Sequence, residues 1–100
     1  PGLAAALQMA KENKIRCVAV TNAPRGAAEA CIESLRRSIP AAAIIDNTII
    51  IGVECAHAKP HPEPYLAAAR LLGVSPHDCV VFEDSASGVR SGAAAGVRAV

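Results

Sequence analysis

The sequence predicts an α/β fold built on a doubly wound parallel sheet, and three observations support this. Short apolar runs alternate with amphipathic helical patterns, so the order reads α, β, α, β, α, β, α, β. The connections between these elements are short, which favours parallel strands covered by helices on both faces. The chain has 100 residues, so it forms at most one domain.

The first half of the chain supplies two helices and two strands. Residues 3–14 place apolar side chains on one helical face. Residues 15–20 form a β-branched run that leads into a Thr-Asn pair, as is typical of a buried strand entering a loop. Residues 24–37 begin with proline and repeat apolar residues at helical spacing. Residues 41–53 are rich in isoleucine and predict one strand, whose register the pattern leaves open, and Asp46 with Asn47 offers a turn between the isoleucines.

The second half continues the alternation after a proline-rich loop. Residues 59–64, KPHPEP, hold too many prolines for a helix or a strand. A short helix follows and should stop at Gly73. Residues 79–82 then predict a strand, and Ser85 can cap a helix that runs to Gly96. The final VRAV begins one more strand.

Composition excludes several function classes. The net charge is +1, no long basic run occurs, and Tyr65 and Phe82 are the only aromatic residues, so we expect no nucleic-acid partner. No apolar run approaches the roughly 20 residues that span a bilayer, so we expect no membrane partner. The four cysteines form no CxxC pair, which favours a reducing compartment such as the cytoplasm. An organelle stays open, because a targeting segment would precede Pro1.

Polar side chains follow three of the apolar runs, at the sheet edge where parallel α/β proteins bind ligands. They are Thr21 with Asn22, Lys59, and Glu83 with Asp84. Adjacent carboxylates repel unless a cation lies beside them, and Mg²⁺ prefers carboxylates with water and phosphate. A lysine and a strand-end hydroxyl can hold phosphate oxygens. Singly, each residue also has an ordinary interpretation as a strand cap, a solvated lysine or a surface acid pair. Together they predict phosphoryl transfer, with no nucleophile identified.

Three stretches resemble, in order, the second, third and fourth motifs of the haloacid dehalogenase (HAD) superfamily: VAVTNAPR, AKPHPEPYLAAARLLGV and CVVFEDSASGVRSGAAAG. The resemblance is strongest to its capped sugar-phosphate phosphatases and β-phosphoglucomutase-like members, and it implies a Rossmann-like core. It implies that Thr21, with Asn22, binds the transferring phosphoryl group and that Lys59 orients nucleophile and phosphate. It also implies that Glu83 and Asp84 hold Mg²⁺.

The activity implied by this resemblance is a Mg²⁺-dependent phosphatase. It would act on a small phosphorylated metabolite, such as a sugar phosphate, through an aspartyl-phosphate. A phosphomutase of the β-phosphoglucomutase type is an alternative, because it uses the same motifs. A non-catalytic interaction module is an alternative of a different class.

One motif of the family is missing. No DxD occurs in the 100 residues, although the first HAD motif, DxDxT/S, supplies the nucleophilic aspartate and precedes the cap domain. We therefore expect residues 1–100 to be the C-terminal part of an incomplete HAD core, without its cap and inactive alone. In the family, the strand of the first motif lies between those ending at Thr21 and Glu83. Without it, two half-sheets should result.

Overall fold

The predicted alternation of helices and strands is confirmed by a computed structural model, which describes residues 2–83 and 85–99. Within these residues the helices are α1 (Gly2–Glu12), α2 (Arg25–Ser38), α3 (Glu63–Leu72) and α4 (Ala86–Ala95), and the strands are β1 (Val20–Thr21), β2 (Ile50–Ile51), β3 (Val80–Val81) and β4 (Arg98–Ala99). Short 3₁₀ turns cover Pro40–Ile44, Gly52–Glu54 and Pro76–Asp78.

The strands pair in parallel, as an α/β fold requires, but in two separate sheets. β1 pairs with β2, with Val20 opposite Ile50. β3 pairs with β4, with Val80 opposite Arg98. Within the described residues β1 does not pair with β3. The structure therefore contains the two half-sheets that the family resemblance implies.

The isoleucine-rich segment 41–53 differs from its prediction as one strand. Its beginning belongs to the 3₁₀ turn Pro40–Ile44, where proline fixes a backbone angle suited to the first helical position. The carboxylate of Asp46 then accepts a hydrogen bond from the backbone N–H of Thr48 at 2.8 Å, which forms a turn. Ile45 forms an isolated parallel bridge with Cys17, and the strand β2 itself covers Ile50–Ile51.

Each sheet has its own hydrophobic core. The first core lies between α1, α2 and β2, and its buried members are Leu7, Ala28, Ile32, Ala41, Ala42, Ile45, Ile49 and Ile51. The second lies beneath α3 and α4 and consists of Tyr65, Val81, Ala95 and Val97. Val20 of β1 packs against this second core, so apolar contacts join the two halves close to the carboxyl ends of the strands.

Two helix ends follow their predictions. The Ser85 hydroxyl accepts a hydrogen bond from the backbone N–H of Gly88 at 3.1 Å and caps α4. Gly73 ends α3 in the left-handed conformation (φ 70°), which glycine adopts without a steric penalty. Along the described ranges, no helix combines the length and apolar character needed to cross a membrane.

Candidate active site

Lys59 connects the two half-sheets at their carboxyl edge. Its ammonium Nζ donates a hydrogen bond to Glu83 Oε2 at 2.8 Å, just after β3, and another to the backbone carbonyl of Val20 in β1 at 3.0 Å. The side chains of Lys59 and Glu83 are only 7% and 11% exposed. The structure thus brings together two of the predicted site residues, although 24 positions separate them in the sequence.

The carboxylate of Glu83 is held by donors on both oxygens. Oε2 accepts hydrogen bonds from Lys59 and from the hydroxyl of Tyr65 at 2.9 Å, and Oε1 accepts from the backbone and hydroxyl of Ser85. Burial alone would raise the pKa of Glu83, but these hydrogen bonds and the charge of Lys59 outweigh it and lower the pKa to about 2. Glu83 is therefore ionised at neutral pH.

Gly88 makes room for this carboxylate. A Cβ atom built at Gly88 would overlap the side chain of Glu83, which lies against the first turn of α4. The N-terminal turn of a helix favours negative charge, because its backbone N–H groups point outward. The glycine in EDSASG thus lets the carboxylate approach a favourable helix end.

Asn22 holds the backbone of Lys59 through its side-chain amide. Its Nδ2 donates to the Lys59 carbonyl at 3.4 Å, and its Oδ1 accepts from the Lys59 N–H at 3.3 Å. A Cβ atom at Gly52 would overlap this amide, so the glycine provides the necessary space. The side chain of Asn22 therefore positions the loop that begins at Lys59, called the lysine loop. A phosphate contact by Asn22 stays a prediction.

Thr21 lies at the end of β1, as predicted, and its hydroxyl caps the strand. Oγ1 accepts a hydrogen bond from the backbone N–H of Ala23 at 3.1 Å. A hydroxyl that accepts still carries its own proton, which it can donate to a phosphate oxygen. Asp84, the second predicted metal ligand, lies outside the described residues.

Tyr65 belongs to this site, although sequence reasoning did not identify it. It is 7% exposed, in the first turn of α3, and its hydroxyl binds Glu83. Nζ of Lys59 lies 5.2 Å from the centroid of its ring, within the range of a cation–π interaction. Burial, the hydrogen bond to Glu83 and the charge of that carboxylate all raise the pKa of Tyr65. The phenol therefore stays protonated and acts as a donor. The one available signal was the placement of the chain's single tyrosine six positions after Lys59.

Ser91 ties the lysine loop to α4. It is fully buried, and its hydroxyl donates a hydrogen bond to the backbone carbonyl of His61 at 2.6 Å. α4 follows Glu83 in the chain, whereas His61 follows Lys59 by two residues. The hydrogen bond therefore fixes the two segments that carry the ion pair relative to each other.

Comparison with known proteins identifies relatives along the whole chain. A family model described as haloacid dehalogenase-like hydrolase matches residues 1–96. The chain is 39% identical to protein CbbY of Rhodobacter capsulatus, over 100% of this chain and 43% of that protein. It is 35% identical to a phosphorylated carbohydrates phosphatase of Thermotoga maritima, over 100% of this chain and 44% of that protein. The chain therefore spans less than half the length of these relatives.

A solved structure shares the fold. The crystal structure of CbbY from Rhodobacter sphaeroides in complex with phosphate superimposes with a TM-score of 0.83 at 35% identity. The match covers 99% of this chain and 43% of that one.

Proposed function

The chain belongs to the haloacid dehalogenase-like hydrolase family, and on this basis we propose that the protein containing it is a Mg²⁺-dependent phosphatase. Its substrates would be small phosphorylated metabolites, such as sugar phosphates. The name of the Thermotoga maritima relative, a phosphorylated carbohydrates phosphatase, supports this substrate class.

The buried ion pair between Lys59 and Glu83 is the observation that carries the proposal. Buried ion pairs contribute little net stability compared with apolar side chains of similar size, because both charges lose their hydration. A pair held at the ligand-binding edge of an α/β fold is therefore better explained by chemistry than by stability. Fixed positive charge at this position would stabilise negative charge on a transferring phosphoryl group.

The remaining residues would hold the phosphate. The Thr21 hydroxyl at the end of β1 and the backbone N–H of Asn22, the next residue, can donate to phosphate oxygens. The ammonium of Lys59 would neutralise the same group from the side of Glu83. Because the Asn22 side chain holds the backbone of Lys59, it would align these donors rather than contact phosphate itself.

We assign Mg²⁺ to Glu83 and Asp84. Glu83 fits this role because its carboxylate is ionised, lies at the sheet edge and offers hard oxygen atoms. Its Oε1 accepts from the hydroxyl of Ser85, which can rotate to another partner. When bound, Mg²⁺ would neutralise charge on the phosphate oxygens.

The nucleophile would come from outside residues 1–100. We propose that the chain is the C-terminal part of a core domain, and that an upstream aspartate lies on a strand between β1 and β3. Its carboxylate would attack phosphorus and release the alcohol, and water would then hydrolyse the aspartyl-phosphate. Substrate choice would depend largely on an upstream cap. The separate sheets and the short coverage of the relatives support this arrangement.

A phosphate-release screen of the intact protein tests the proposal. We expect inorganic phosphate to be released from one or more sugar phosphates with Mg²⁺ and not with a chelator. Replacing Asp84 by Asn should abolish most of this release. Monitoring products by ³¹P NMR separates a phosphatase from a phosphomutase, which would move the phosphate between hydroxyls. No phosphate transfer from any sugar phosphate, with Mg²⁺ present, would contradict the proposal.

A further inference from the structure

We propose that Tyr65 is a positioning residue that holds the ammonium of Lys59 and the carboxylate of Glu83 in one arrangement. This inference rests on the function proposed above. It assigns a role to a residue that lies outside the predicted phosphate and metal contacts.

The hydroxyl of Tyr65 is one of the donors that hold the carboxylate of Glu83. Tyr65 and Lys59 donate to the same oxygen, Oε2, at 2.9 Å and 2.8 Å. Ser85 donates to the other oxygen. The terminal bond of a carboxylate has a broad torsional preference, so its position depends on donors that do not themselves move. Of the two donors on Oε2, the Tyr65 hydroxyl is carried by a buried ring, whereas the ammonium of Lys59 is carried by a long side chain. With donors on both oxygens, its plane is fixed, and so is the direction in which it presents negative charge to Lys59.

The ring of Tyr65 supports Lys59 from another side. Nζ lies 5.2 Å from the ring centroid, where the negative face of the ring attracts a cation. The long lysine side chain loses considerable rotamer entropy when it is held in place. The ring, Glu83 and the Val20 carbonyl together restrict the ammonium to one location.

The side chain of Tyr65 is itself held rigidly, because its ring is part of the second hydrophobic core. It packs with Val81, Ala95 and Val97, and it extends from a helix. Only the hydroxyl distinguishes this residue from phenylalanine, which would fill the same core space. A buried hydroxyl is costly unless it is hydrogen-bonded. The contact with Glu83 supplies the hydrogen-bond partner that this buried hydroxyl needs.

Three variants of the intact protein test this role. Tyr65→Phe keeps the ring and removes the hydroxyl, whereas Tyr65→Leu removes both contacts. Leu66→Ala is the control, because Leu66 is next in the helix and packs against the same core, and its side chain has no polar group to bind Lys59 or Glu83. Each variant is measured for kcat, KM, melting temperature and the NMR signal of the Lys59 ammonium protons.

For Tyr65→Phe we expect kcat to fall about tenfold with KM within about twofold, since a misplaced ammonium affects the transition state more than binding. The melting temperature should stay within about 4 °C of the wild type. The ammonium signal of Lys59 should broaden. Tyr65→Leu should lose more activity, and Leu66→Ala should melt earlier while keeping its kcat and the ammonium signal.

Unchanged kcat and an unchanged ammonium signal in Tyr65→Phe would overturn the inference. A kcat loss in Leu66→Ala as large as in Tyr65→Phe would do so as well, because it would indicate a purely structural effect. If the wild type released no phosphate, the proposed function would fail. The NMR comparison of wild type and Tyr65→Phe would then decide the positioning role by itself.

Discussion

Replacing Gly88 by Ala should displace the carboxylate of Glu83 from α4. The backbone of Gly88 is helical, so alanine meets no conformational penalty there and would gain about 1 kcal/mol in helix propensity. Its Cβ would nevertheless overlap Glu83, which must move and lose its contacts with Lys59 and Tyr65. The expected result is a net loss of stability despite the better helix former.

The size of this loss follows from the burial of the ion pair. The side chains of Lys59 and Glu83 are 7% and 11% exposed, so breaking their contact leaves a poorly solvated charge. Such a disruption costs roughly 3–5 kcal/mol. After subtracting the gain in helix propensity, we expect the free energy of unfolding to fall by roughly 2–4 kcal/mol.

Urea denaturation of the intact protein measures this difference, and Gly26→Ala is the matched control. Gly26 lies in the first turn of α2, and a Cβ atom built there has no neighbour within 4 Å. The control should therefore match the wild type or exceed its stability by up to about 1 kcal/mol. If Gly88→Ala were as stable as Gly26→Ala, the close packing of the Glu83 side chain against Gly88 of α4 would be wrong.

Three further predictions concern the surroundings of the ion pair. The pKa of Glu83 is lowered from its ordinary 4.5 to about 2, so its contribution to stability is present above pH 4.5 and is lost as the pH falls towards 2. Denaturation curves should therefore show the stability difference between wild type and Glu83→Gln shrinking over that range. Ser91→Ala removes a buried donor from the His61 carbonyl and should lower the free energy of unfolding by roughly 1–2 kcal/mol, also measured by denaturation. Asn22→Ala removes both hydrogen bonds to the Lys59 backbone and should lower kcat/KM for phosphate release roughly tenfold.

Exposed residues of the same type provide the controls for these variants. The control variants are Glu12→Gln on α1, Ser34→Ala on α2 and Asn13→Ala in the turn after α1. All three residues are exposed and lie away from the candidate site. We expect near-wild-type behaviour from each. A constant difference between wild type and Glu83→Gln from pH 4.5 to 2 would argue against the buried ion pair. Equal effects of Asn22→Ala and Asn13→Ala on kcat/KM would argue against the role of Asn22 in holding the backbone of Lys59.

The sequence predicted the elements and the meeting point of the charged residues. Alternating patterns gave the helix and strand order, and Ser85 gave the start of α4, because these signals are local. Lys59 and Glu83 could be placed together because the carboxyl ends of parallel strands meet at one edge. That rule requires no knowledge of individual side-chain contacts.

The missed features depend on contacts between distant segments. Tyr65 occupies an apolar helical position, so periodicity alone assigns it to the core, and its hydroxyl finds Glu83 18 residues later. Asn22 binds a backbone 37 residues away, which no spacing rule predicts. The segment 41–53 was predicted as one strand because isoleucine favours strands, and the turn at Asp46 was expected within it. The missed feature is the 3₁₀ turn that begins at Pro40 and replaces the first part of the strand.

The catalytic role of Lys59 is the central claim, and the initial rate of Mg²⁺-dependent phosphate release tests it most directly. The measurement compares the intact wild type with Lys59→Ala and with Lys11→Ala, an exposed lysine at the end of α1. We expect Lys59→Ala to lose at least about a hundredfold in kcat, the order found when one preorganised group that stabilises transition-state charge is removed, whereas Lys11→Ala keeps the wild-type rate. A wild-type rate in Lys59→Ala would contradict the account.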